Sequence, residues 1–168
     1  AFGAGVDAFL YRKEWHSDTI LTRTTGNFGR KIAEYCLGHI LASAQEHARF
    51  ADYQSAKRWS PFMPKPVWGQ RAVIFGTGVV GQETARYLQG AGMHVTGVSL
   101  SGASKAGIAE TVKLEDADDR LAHADWIVNT LPLTRQTDDL FGAELFAKLR
   151  SCGFINVGRG ASVNEKEL

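Results

Sequence analysis

Short apolar segments alternate with amphipathic ones in the second part of the chain. Four segments are short, apolar and rich in β-branched residues, and we predict them as strands at 72–75, 94–98, 126–131 and 153–157. Three segments between them carry apolar residues on one helical face, and we predict them as helices at 79–89, 115–123 and 144–150. This alternation is typical of parallel βαβ units, so we expect an α/β fold with a doubly wound parallel sheet.

The first part of the chain follows a different pattern. A mixed segment is predicted to hold a helical stretch at 7–15 and a strand at 19–23, and one long helix is then predicted from Asn27, as its N-cap, to Phe50. The apolar stripe of this helix is wide, as expected either for a helix covered by a second subunit or for the central helix of a single core. Three prolines within 61–66 then forbid regular structure and indicate a domain boundary.

Composition narrows the class of protein. Hydrophobic residues make up 44% of the chain and charged residues 22%, which is typical of a globular domain. The net charge is +1 and no basic stripe is interleaved with aromatic residues, so no nucleic-acid partner is expected. No apolar run reaches the length of a membrane span, and no signal peptide is expected. Cys36 and Cys152 lie outside any metal-type spacing, so we expect reduced, buried thiols in a cytoplasmic protein and no metal site.

The segment VIFGTGVVGQETARYL carries the clearest chemical pattern. Gly76, Gly78 and Gly81 form G-x-G-x-x-G between a predicted strand and a predicted helix. The first glycine permits the tight turn, the second lets a pyrophosphate approach the backbone, and the third lets helix and strand pack closely. We therefore predict a dinucleotide site at the helix N-terminus. The predicted cofactor contacts in this loop are Gly76, Thr77, Gly78, Val79, Val80 and Gly81.

The end of the second strand bears on the choice between NAD and NADP. A carboxylate usually stands there to bind the adenosine ribose of NAD, but Ser99, Leu100 and Ser101 occupy this stretch and the first carboxylate is Glu110. A carboxylate would repel a 2′-phosphate, whereas serine hydroxyls and Lys105 can bind one. The pattern favours NADP; the alternative is a small polar loop that holds NAD loosely.

Five segments in register resemble the D-isomer-specific 2-hydroxyacid dehydrogenases, in the branch of glyoxylate/hydroxypyruvate reductases and phosphoglycerate-dehydrogenase-like proteins. They are GAGVD at 3–7, IAEY at 32–35, GTGVVG at 76–81, NTLPLTRQT at 129–137 and INVGRG at 155–160. The resemblance implies an oxidoreductase that transfers a hydride between NAD(P)H and a small 2-keto or 2-hydroxy acid such as glyoxylate or hydroxypyruvate. A non-catalytic, corepressor-like dinucleotide-binding protein of the same fold is the alternative.

The resemblance also implies roles for individual residues. Backbone amides of Ala4, Gly5 and Val6 would bind the substrate carboxylate, and Arg159 would be the catalytic arginine. A guanidinium suits that role because its planar fork of donors can hold a carboxylate and a developing alkoxide together. The further implied cofactor contacts are Leu131, Pro132, Thr137, Val157, Gly158 and Arg159.

The family pattern implies three regions. We expect 1–25 to be part of a flavodoxin-like substrate domain, 26–68 to hold an interdomain helix and a Pro-rich linker, and 69–168 to be an NAD(P)-binding Rossmann domain that is incomplete at its C-terminal side. A homodimer is expected through the 27–50 helix. No residue here matches the catalytic glutamate and histidine of the family, so we expect no reductase activity from the 168 residues alone.

Overall fold

The computed structural model describes Gly5, His16, 18–24 and 26–168. Within those residues the sheet has five strands, all parallel, in the order β3-β2-β1-β4-β5. The strands are β1 Arg71–Phe75, β2 His94–Val98, β3 Glu110–Val112, β4 Trp126–Asn129 and β5 Gly153–Asn156. This order belongs to the Rossmann type of doubly wound sheet, so the predicted fold class is confirmed for this part of the chain.

Helices cover both faces of the sheet. They are α1 Phe28–Ala44, α2 His47–Ser55, α3 Val79–Gly90, α4 Asp118–Ala122 and α5 Ala143–Phe146. Along β1, Ala72 and Ile74 pack in a core with α1 and α3, whereas Val73 and Phe75 pack in a second core with α4 and α5. Because the strand is buried on both faces, its apolar run is continuous rather than alternating. None of the described helices is both long and apolar enough to cross a membrane.

The predicted helix 27–50 is in fact two helices. The chain turns after Ala44 because Glu46 adopts the left-handed conformation, with φ 51°, and α2 then runs to Ser55. Asn27 precedes the first helical residue, but its side chain makes no capping hydrogen bond. α1 buries Gly29, Ala33, Cys36 and Ile40, and the last two pack in the core that includes α3. The segment 19–23 is irregular rather than a strand, and the predicted helix at 7–15 lies outside the described residues.

Smaller elements also differ from prediction. Strand β3 was not predicted, because three residues at a sheet edge are too short to show a period. The segment predicted as a helix at 115–123 divides into a 3₁₀ turn at Leu114–Asp116 and the short helix α4. The helix predicted at 144–150 shortens to α5. After β5 the chain forms a 3₁₀ turn at Gly160–Ser162.

The two cysteines differ in burial. Both thiols are free, and Cys36 is fully buried whereas Cys152 is half-buried. Burial raises the pKa of the Cys36 thiol to about 11, so this thiol is protonated at neutral pH. It therefore packs as a small apolar side chain.

Candidate dinucleotide and keto-acid site

Four loops meet at the carboxyl edge of the sheet, where open α/β sheets bind ligands. They follow β1, β2, β4 and β5, and they contain the glycine loop, Ser99, Leu131 and Arg159 respectively. Since these four strands are parallel neighbours, every predicted cofactor contact lies on this edge of the sheet or on the turns that leave it.

The fold itself requires two of the three loop glycines. Gly76 has φ +95°, and a side chain there would lie 2.7 Å from the Thr130 hydroxyl. That hydroxyl donates to the carbonyls of Phe75 and Gly76, at 2.9 and 3.0 Å. A Cβ atom on Gly81 would overlap the Gly76 carbonyl oxygen. Gly76 and Gly81 therefore serve the turn and the close contact between helix and strand.

The fold does not require the third loop glycine, Gly78. Its φ of −76° is open to any residue, and a Cβ atom there would meet nothing within 4 Å. Gly78 borders a cavity of about 350 Å³, together with Val79, Val80, Gly81 and the preceding Arg23–Thr24 segment. Among the described residues, no side chain caps the N-terminus of α3. Amides of the first helical turn thus face open space, which fits a pyrophosphate.

A second cavity, of about 500 Å³, opens beside the first loop. It lies at the ends of β1, β2 and β4, and its walls include Phe75, Val98, Ser99, Leu100, Leu131, Pro132 and Thr137. Thr137 is buried and holds the turn closed, because its hydroxyl donates to the Pro132 carbonyl at 2.6 Å. An apolar cleft with a polar rim is typical of a small-molecule site, and here it fits an adenosine.

In the loop after β2, two serine hydroxyls accept hydrogen bonds from backbone N–H groups of the same loop. Ser99 accepts from the Gly102 N–H and Ser101 from the Ala103 N–H, both at 3.2 Å. Each hydroxyl keeps its hydrogen for a further bond. Glu110 stands at the amino end of β3, away from this edge, where hydrogen bonds from Arg120 and Thr96 hold the pKa of its carboxyl below the ordinary value.

The sequence interpretation missed one carboxylate in the second cavity. Glu115 lines this cavity and pairs with Lys113, the Nζ–Oε1 distance being 3.2 Å. Both residues lie after β3, not after β2 where such a carboxylate is usually sought. The cavity rim therefore offers charge of both signs to an adenosine ribose.

Arg159 lies on the loop after β5 and is half-buried. Its Nη1 donates to the Gly158 carbonyl at 3.0 Å. A Cβ atom on Gly158 would lie 2.7 Å from the Leu131 carbonyl oxygen, so glycine allows the loops after β4 and β5 to touch. Val157 is tied to β4, because its N–H donates to the Asn129 carbonyl at 3.0 Å.

Three polar side chains that bond to the Arg159 loop or to one another, those of Asn129, Asn156 and Ser162, were not predicted as site residues. Asn129 and Ser162 are fully buried, and Asn129 donates to Ser162 Oγ at 2.8 Å and to Asn156 Oδ1 at 3.0 Å. The signal for this group was present in the sequence, because an asparagine closes both WIVN and GFIN. Neighbouring parallel strands bring those two asparagines into register.

The predicted substrate contacts are described only in part. Gly5 is half-buried, while Ala4 and Val6 lie outside the described residues. No group of three His, Cys, Asp or Glu side chains within Gly5, His16, 18–24 and 26–168 could hold a metal ion. The roles assigned to individual residues remain predictions.

Comparisons with known proteins agree on one family. The profile of the NAD binding domain of D-isomer specific 2-hydroxyacid dehydrogenases matches residues 37–168. Glyoxylate/hydroxypyruvate reductase A of Citrobacter koseri is 30% identical over 179 aligned positions, which cover 100% of this chain and 56% of that protein. The chain thus spans little more than half of this curated relative.

Solved structures give the same result. An NADPH-dependent glyoxylate/hydroxypyruvate reductase from Sinorhizobium meliloti, in complex with NADP and sulfate, matches with a TM-score of 0.87 and 31% identity over 99% of this chain and 55% of that one. A D-isomer specific 2-hydroxyacid dehydrogenase from Xanthobacter autotrophicus, in complex with NADPH and MES, matches with a TM-score of 0.85 and 31% identity over 98% of this chain and 68% of that one.

Proposed function

The chain belongs to the D-isomer specific 2-hydroxyacid dehydrogenase family, a family of oxidoreductases that use NAD(P), and on that premise we propose that the protein containing it reduces a small 2-keto acid with NADPH. The observation that carries the proposal is a contact between loops. Leu131 lies against Gly76 on one side and against Gly158 on the other. The open glycine loop and Arg159 are therefore held beside one another.

The dinucleotide would occupy both cavities. The amides of Gly78, Val79 and Val80 would bind its pyrophosphate, since they border the first cavity and no side chain of the described residues caps the helix. The walls of the second cavity would hold the adenosine. When bound, the dinucleotide supplies the hydride for the reaction.

Arg159 would bind the keto acid. A guanidinium presents a planar fork of charged donors, so it can donate to the carboxylate and to the carbonyl oxygen of one substrate molecule. The carbonyl oxygen gains negative charge during reduction, so a donor fixed beside it lowers the barrier. Amides of Ala4, Gly5 and Val6 would hold the carboxylate from the other side, and we assign no proton donor within this chain.

We propose NADP as the preferred cofactor. Ser99 and Ser101 keep hydroxyl hydrogens for a 2′-phosphate, and Lys105 and Lys113 add positive charge near the same loop. Glu115 opposes this preference, but its pairing with Lys113 offsets part of its charge. The solved relatives from Sinorhizobium and Xanthobacter contain NADP or NADPH.

The test compares two donors and two acceptors. We expect the gene product that contains this chain to oxidise NADPH in the presence of glyoxylate or hydroxypyruvate, with a higher kcat/KM than for NADH. We expect the 168 residues alone to bind NADPH without turnover. Tight NADPH binding by the gene product without turnover of any 2-keto acid would instead favour the corepressor-like alternative.

We also propose the predicted division into regions 1–25, 26–68 and 69–168. We further propose a homodimer through the segment 27–50, which holds α1 and the start of α2. Tyr35, Phe50, Trp59 and Met63 are large apolar side chains that remain exposed along α1, α2 and the following linker. Exposed apolar patches of this kind mark interfaces. Light scattering on the wild type and on the Tyr35→Glu variant tests this proposal, since a dimer through α1 should dissociate in the variant.

A further inference from the structure

We propose that Ser162, Asn156 and Asn129 are positioning residues that set the place of the Arg159 guanidinium. This inference rests on the proposed function, because it concerns how the substrate-binding arginine is held. None of the three side chains needs to touch the substrate. Ser162 and Asn156 bond to the backbone of the loop that carries Arg159, and Asn129 holds those two side chains.

The backbone carbonyl of Arg159 is held by three hydrogen bonds. It accepts from Ser162 Oγ at 2.6 Å, from the Ser162 N–H at 3.2 Å and from Asn156 Nδ2 at 3.1 Å. Asn156 also accepts from the Gly158 N–H at 2.9 Å. The guanidinium in turn donates to the Gly158 carbonyl, so one of its contacts belongs to the same loop.

Asn129 ties this loop to the interior. Its two amide hydrogens go to Asn156 and Ser162, and its Oδ1 accepts from the Leu131 N–H at 3.0 Å. A buried amide whose donors are both used fixes its neighbours, since any shift of the loop would leave a polar group without a partner. Through Leu131 the same amide reaches the proposed cofactor cavity.

A role in stability alone would explain a buried polar cluster, but not its arrangement. The bonds of Ser162 and Asn156 converge on the Arg159 carbonyl, and Asn156 also accepts from the N–H of Gly158, the residue before Arg159. Asn156 is exposed, so its two bonds to the loop are not imposed by a need to satisfy a buried group. The arrangement holds one residue in place.

The test uses Ser162→Ala and Asn156→Ala in the gene product that contains the chain. An error of about 1 Å in the place of a catalytic group can cost on the order of 100-fold in rate, so we expect kcat/KM for glyoxylate to fall ~10- to 100-fold in Ser162→Ala. The Kd for NADPH should stay unchanged. Because Asn156 is exposed, Asn156→Ala provides a second variant if Ser162→Ala does not fold.

A double-mutant cycle separates positioning from stability. In an Arg159→Ala background, Ser162→Ala should cause no further loss, because the group that it positions is gone. Thr96→Val is the matched control, since Thr96 is half-buried on β2 away from this edge and its hydroxyl donates to Glu110 Oε2 at 2.8 Å. It should reduce stability without changing kcat/KM.

A second measurement does not depend on turnover. The Nε–Hε resonance of Arg159, assigned by its loss in Arg159→Ala, should shift or broaden in Ser162→Ala and stay in place in Thr96→Val. An unchanged resonance in Ser162→Ala, or the same loss of kcat/KM in both backgrounds, would overturn the inference and leave the proposed function standing. If Arg159→Ala itself turned over glyoxylate normally, the role of Arg159 would fail and this inference with it.

Discussion

Replacing Gly78 by alanine tests whether the glycine loop is built for a ligand. The new methyl group would meet no atom within 4 Å, and the φ of −76° suits alanine. Alanine is a poorer N-cap than glycine, but it also lowers the entropy of the unfolded chain, so we expect the free energy of unfolding to change by no more than about 0.5 kcal/mol. The methyl group would instead stand where a pyrophosphate approaches the amides of the first helical turn.

The expected loss of affinity follows from those amides. One charge-assisted hydrogen bond contributes about 1.5–3 kcal/mol, so losing one raises the Kd for NADPH about 10- to 150-fold. Fluorescence titration with NADPH gives the Kd, and urea unfolding gives the stability. Gly90→Ala is the matched control, because Gly90 ends the same helix and also faces open space. Equal NADPH affinity in Gly78→Ala and wild type would refute the assignment of this loop.

Three further variants or measurements probe the fold around the site. Gly81→Ala should lower the free energy of unfolding by at least about 1–3 kcal/mol in a urea titration, because the methyl group would overlap the Gly76 carbonyl. Glu110→Gln should cost about 0.5–1 kcal/mol at pH 7, since its exposed partner Arg120 is screened by water. Arg120 lowers the pKa of Glu110, so the stability that the ion pair contributes is present above the unfolded pKa and is lost as the pH falls through the folded pKa. A stability difference between Glu110→Gln and wild type that persists at pH 2 would contradict the ion pair as its cause. Cys36, with its pKa raised to about 11, should react with iodoacetamide only after unfolding, and peptide mass spectrometry of the native protein would detect any earlier modification.

The strands and the glycine loop could be predicted because their signals are local. A strand buried on both faces needs a continuous apolar run, and β1 and β4 each have one, at 72–75 and 126–128. The break at Glu46 could not be predicted in this way. Neither glycine nor proline marks it, and a left-handed conformation is uncommon for a glutamate. Strand β3 is too short and too polar to be recognised apart from its partner β2.

The site was predicted less completely than the sheet, because its parts meet only after folding. Glu115 follows β3 in the chain, yet it lines the cavity that the Ser99 loop borders. A search that stops at the end of β2 therefore misses it, and the preference for NADP becomes a balance between Lys113 and Glu115 rather than the simple absence of a carboxylate. The position of a residue after β2 predicts only one contact of the ribose, whereas the folded structure determines which charged side chains surround it.

The asparagines that close β4 and β5 explain why this edge of the sheet can be both rigid and polar. Parallel strands end with unpaired backbone groups at the place where a ligand must bind, and water would normally satisfy them. Here Asn129 bonds to the amide of Leu131, and Asn156 to the amide of Gly158 and the carbonyl of Arg159. Side-chain amides thus satisfy part of the backbone at this edge. In our proposal the same amides therefore fix the loop that carries Arg159.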